Sequence, residues 1–96
     1  MNQDFWNEVQ KLAQSNARLV TKTGAPFELI DATETRLLVC VSTGAEHSLN
    51  RANLEKAIRL LQSGVELSGP KDYHDQVADD RPAYAWALLY ALGYIK

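Results

Sequence analysis

The chain has one cysteine, Cys40, in 96 residues. It therefore has no internal disulfide, the fold must stand on packing, and a reducing cytoplasm is its natural setting. It also lacks a dominant charge. Ten Lys and Arg stand against twelve Asp and Glu, for a formal net charge of -2. That balance is not the footprint of a general nucleic-acid binder, although it leaves room for a local basic patch. No apolar run approaches the ~20 residues that cross a bilayer, so no membrane association is expected. The start, MNQDFWNEVQKLAQ, has no basic stretch leading into an apolar one, and no signal peptide is expected. There is no G-x-S-x-G, no HExxH, no EF-hand loop and no Gly-rich phosphate loop. These absences make an enzyme the least favoured class, with no cofactor and no metal implied. Repeats, low-complexity tracts and linkers are absent too.

What is present is an ordinary folded composition. Hydrophobic content of 46% with 23% charged residues rules out wholesale disorder. The length suits a single domain, residues 1–96, burying about 60–65% of its unfolded surface. Phe5, Trp6, Val9, Leu12 and Ala13 recur at helical spacing, which predicts an amphipathic helix over about 4–15 with Asp4 as N-cap. Gly24-Ala25-Pro26 is a turn signal. Phe27 and Leu29 alternate with Glu28, DATET offers turn chemistry, and Leu37 to Val41 reads as a central strand covered on both faces. EHSL after Ser42-Thr43-Gly44 is a further strand, and Arg18 to Thr21 can pair as an edge. Asn50 is the next N-cap, with Leu49 and Leu54 spaced as a hydrophobic staple, and a helix is predicted over about 51–62. Arg51, Glu55 and Arg59 are spaced for ion pairs along it. A short helix starts near Ser68 or Pro70. Pro82 and Gly93 bracket the last one. The expected fold is α+β: an N-terminal helix, a small antiparallel sheet of three or four strands, then two to three helices packed on one face.

The last helix carries an unusual surplus of apolar surface. No residue from Ala83 to Leu92 is charged. Ala85, Leu88, Leu89 and Leu92 suffice to face a core, while Trp86, Tyr90 and Tyr94 form a second stripe off the first. A helix apolar all round is normally buried all round. Either the small domain wraps this one on most sides, or the aromatic side, with Tyr84, meets a partner. Trp and Tyr are favoured at interfaces, and two-fold dimers are the commonest oligomers, so a homodimer through Trp86, Tyr90, Tyr94 and Tyr84 is the favoured expectation. A second protein partner is the other candidate for that surface.

Other constellations carry less. His74 lies among Asp72, Asp75, Asp79 and Asp80, but the spacing matches no metal motif, and Asp79 or Asp80 suits a cap for the helix beginning at Pro82. His47 has no marked nucleophile near it, and Cys40 reads as a small hydrophobe in its strand. A nucleic-acid contact through Asn50, Arg51, Asn53, Lys56 and Arg59, at the start and basic face of helix 51–62, is the alternative function. A third is a small-molecule pocket between Trp6, Trp86 and the sheet.

A pattern over residues 24–92 gathers these elements: Gly24-x-x-Phe27, a strand ending Ser42-Thr43-Gly44, Arg51-x-x-Leu54-Glu55-x-Ala57-x-x-Leu60-Leu61, and Tyr84 with Leu88, Leu89 and Leu92. It resembles small domains of bacterial mobile DNA, found on integron gene cassettes and beside or within restriction-type defence proteins. The resemblance implies an α+β fold and a genomic setting, and it transfers no catalytic residue. The function expected is a non-enzymatic interaction or accessory module that self-associates through its last helix.

Overall fold

The computed structural model describes residues 2–79 and 81–95. The elements in chain order are α1 (Asn2–Gln14), β1 (Arg18–Val20), β2 (Pro26–Ala32), β3 (Arg36–Val41), β4 (Glu46–Asn50), α2 (Arg51–Gln62), α3 (Pro70–Val77) and α4 (Pro82–Ala91). The four strands form one antiparallel sheet in the order β1-β2-β3-β4. This is the expected α+β arrangement.

Register explains which side chains reach the core. Leu19, Phe27 and Val41 share one row, Leu29, Val39 and His47 the next, and Leu37 pairs with Leu49. Alternate residues of a strand face opposite sides, so these rows lie on the helix-covered face. All but Leu19 and His47 are buried. Arg18, Glu28, Cys40 and Glu46 make a row on the other face. Ile30, Leu38 and Cys40 are only half-buried, and none belongs to the core cluster. The central strand β3 is therefore covered on one face, not on both as its unbroken apolar run suggested. Among the described residues the covering layer is helical: α1, α2 and α4 meet the sheet, and α3 packs on α2 and α4. A bulge near Ile30 shifts the β2–β3 register.

The connections follow from local chemistry. Gly24 and Gly44 close the β1–β2 and β3–β4 hairpins with φ of +93° and +88°. In each, the residue three before the glycine accepts its N–H, and bonds across to the residue after it: Thr21 N–H to Ala25 O and Val41 N–H to Ala45 O, both 2.9 Å. A side chain at either glycine would cost the left-handed strain that glycine avoids. At the β2–β3 turn the Thr33 hydroxyl accepts from the N–H groups of Thr35 and Arg36, so β2 runs on through Ala32 before the turn begins.

Helix ends match the sequence unevenly. Asn50 caps α2, its Oδ1 accepting from Ala52 N–H at 2.8 Å and Asn53 N–H at 3.3 Å. Leu49 and Leu54 are both fully buried, as a staple requires. α1 begins at Asn2, so Asp4 is not its N-cap. It sits in the first turn, where a carboxylate still complements the helix dipole. Arg81, before Pro82, has no side-chain cap bond. Asp79 instead holds the turn before it by accepting the Arg81 N–H at 2.7 Å. Asp80, the other expected cap, lies outside the described residues.

Candidate functional site

The last helix answers to three different neighbours. Its first stripe meets the core as expected, with Ala85, Leu88 and Leu89 fully buried and Leu92 partly so. The expected second stripe does not survive as one surface. Trp86 is 6% exposed, and its indole N–H donates to Leu67 O at 2.9 Å. The Lys22 ammonium lies 5.6 Å from the centre of its ring. Trp86 is thus buried within its own chain, with Leu67, itself buried, bonded to its indole. Tyr84 turns toward the sheet, edge-on to Phe27 at 5.1 Å and stacked with His47 at 6.1 Å. Tyr94 meets Phe5 edge-on at 5.6 Å, where burial and the nearby Glu8 and Asp4 carboxylates raise its phenol pKa. Only Tyr90 is left in the open, 55% exposed and stacked on Trp86 at 5.2 Å.

Tyr90 borders a groove of about 510 Å³ lined by Val20, Thr21, Lys22, Ser68, Trp86 and Tyr90. Its floor is the buried indole and its rim is aliphatic, aromatic and cationic. The Lys22 ammonium is bonded to Ser68 O at 2.7 Å. Val20, 59% exposed, is the other large exposed hydrophobic residue among those described. Both such residues therefore fall on one groove, beside β1, one of the two outer strands of the sheet. Sequence reasoning missed Val20, Thr21 and Ser68. The available signal was Leu19-Val20, two neighbouring aliphatics in an edge strand that can bury only one of them.

The five residues considered for nucleic-acid contact are mostly occupied elsewhere. The Asn50 carbonyl is spent on the α2 cap. Arg51 bonds Glu55 Oε2 at 3.0 Å and Glu34 O at 3.0 Å, and lies over the Trp6 ring at 5.1 Å. Asn53 donates to Asp79 Oδ2 at 3.2 Å. Lys56 and Arg59 are exposed, and among the described residues Arg59 makes no ion pair, so the expected Glu55–Arg59 partnership does not form.

Trp6 and Trp86 do not share a cavity wall of the expected kind. Trp6 donates to Thr33 O at 2.8 Å beneath Arg51, whereas Trp86 floors the groove beside β1. A second, polar depression of about 370 Å³ is lined by Thr35, Arg36, Ser48, Asn50 and Asn53, with the buried Asp79 at its base. Asp79 there ties three segments together, through Asn53, Arg81 and the bond between its carbonyl and His74 Nδ1 at 3.1 Å. Asp72 is engaged at the start of α3. The Ser68 hydroxyl and N–H donate to it and lower its carboxyl pKa below the usual range. No group of three or more His, Cys, Asp or Glu among the described residues is arranged to hold a metal ion. Nor is any helix among them long and apolar enough to cross a membrane. Comparison with protein-family models, curated proteins and solved structures finds no significant match to this chain.

Proposed function

We propose that this chain is a non-enzymatic interaction module that self-associates through the groove beside β1, with Tyr90 as its anchor. The supporting observation is that the two large exposed hydrophobic residues among those described, Val20 and Tyr90, line the same groove. Aromatic residues in well-packed settings dominate interface energetics. Here Trp86 braces Tyr90 from below, so little side-chain freedom remains to be lost on contact. The resemblance to small mobile-cassette and restriction-associated domains gives the setting we propose, that of an accessory to a larger bacterial system.

Light scattering across a hundredfold dilution tests this. The wild type is expected at about twice the chain mass, and Tyr90→Ala at the chain mass under the same conditions. Trp86→Ala is the weaker test, because it removes core as well. A wild type that remains monomeric at every concentration refutes the proposal.

A further inference from the structure

We infer that β1 pairs antiparallel with β1 of a second copy, with the two-fold axis at Leu19 and each Arg18 opposite Val20 of the other copy. This rests on the self-association proposed above and adds the strand, the direction and the register.

The argument begins with hydrogen-bond phase. Leu29 N–H donates to Ala17 O and Thr21 N–H donates to Ala25 O, both at 2.9 Å. Alternate residues of an antiparallel strand bond to the same neighbour. Ala17, Leu19 and Thr21 therefore face β2, and Arg18 and Val20 turn their N–H and C=O groups to the open edge. Pro26, opposite Val20, fits this phase because no N–H is needed there. Open edges are normally blunted by a proline, a bulge or a cation standing over them. β1 contains no proline, and its pairing with β2 is regular. The two cations on and next to β1 make contacts of their own, although the Arg18 side chain stays 82% exposed. Arg18 reaches Glu28 at 3.4 Å, and Lys22 reaches Ser68 O and the Trp86 face. Exposed Val20 stands beside Arg18 on the same, open face of the strand.

Charge then selects the register. Centring the two-fold on Arg18 sets Arg against Arg. Centring it on Val20 sets Arg18 against Lys22. Like charges directly opposite are destabilising. Centring it on Leu19 opposes Arg18 and Val20 at both ends, with no like charges facing and every outward backbone group of both residues paired. A three-residue edge is small beside the roughly 1,200 Å² that stable interfaces bury at minimum. In this arrangement Tyr90, bordering the same groove from the helix layer, adds aromatic area on either side of the axis.

Disulfide trapping tests the register. In a Cys40→Ser background, Arg18→Cys and Val20→Cys proteins are oxidised mildly, alone and mixed, and the mass of the parent is measured in parallel. The mixed pair is expected to cross-link roughly tenfold faster than either protein alone, since only that pair comes within disulfide reach. A dimeric parent in which Val20→Cys alone links fastest, or in which all three samples link equally, overturns this pairing and leaves self-association standing. A monomeric parent overturns both. Val20→Lys is a second reading. The dimer dissociation constant should rise at least tenfold, and an unchanged value overturns the inference.

Discussion

Tyr73→Phe should stabilise this protein, against the usual direction for a core substitution. Tyr73 is 0% exposed, and its hydroxyl has no hydrogen-bond partner among the described residues. A buried polar group left unpaired costs about 1–3 kcal/mol of desolvation. Phenylalanine keeps the ring and removes that cost. The gap left by one oxygen, on the order of 10 Å³, takes back only a few tenths of a kcal/mol at roughly 24 cal/mol per Å³. The net gain is about 1–2 kcal/mol, or roughly 5–10 °C in melting temperature for a domain of this size. Urea unfolding at one fixed protein concentration measures it. The pH dependence supplies an independent check. Burial, reinforced by the negative charge of Asp79, raises the Tyr73 phenol pKa far above its ordinary value. Its contribution is fully present below the unfolded pKa of about 10 and is lost as pH rises beyond it, because only the unfolded chain can release the proton there. The phenylalanine variant has no such loss at this site, so its advantage should widen above pH 10 by about 1.4 kcal/mol per pH unit. A variant less stable than wild type at neutral pH would mean that the hydroxyl is bonded after all, and the reasoning would fail.

Two further substitutions probe the α2 cap and the floor of the groove. Asn50→Ala should cost about 1 kcal/mol, by releasing the Ala52 and Asn53 N–H groups, while Asn50→Asp should hold. Thermal unfolding of the pair separates capping from the loss of the side chain as such. Trp86→Ala should cost about 3–5 kcal/mol as a large-to-small core substitution. A loss below 1 kcal/mol in urea unfolding would show that Trp86 is not the structural floor described above.

The parts of this fold that were legible in the sequence are those decided within one turn or one hairpin. Asn50, Leu49, Leu54 and the periodic apolar positions after them delimit α2, because capping and stapling act over four residues. Pro82 marks the start of α4 for the same reason. What stayed hidden depends on segments distant in the chain. Arg51 pairs with Glu55 as its spacing predicts, but Glu34 O and the Trp6 ring are brought to it from far along the chain. Trp86 looks like interface until the 65–69 stretch brings the Leu67 carbonyl to its indole. That stretch has no helical or strand period, so nothing in its pattern announces that Leu67 will be buried and will offer its carbonyl to the indole. The surplus of apolar surface on α4 was nonetheless a sound deduction, and its redistribution decides where to look. The sheet takes Tyr84, α1 takes Tyr94, and Trp86 is buried with its indole bonded to Leu67 O and the Lys22 ammonium near its ring. The remainder, Tyr90, sits beside β1, one of the two edge strands, whose exposed hydrophobic side chain is Val20. An aromatic anchor and a free edge are each unremarkable alone. On one groove, each supplies what the other lacks, apolar area from the tyrosine and direction from the strand.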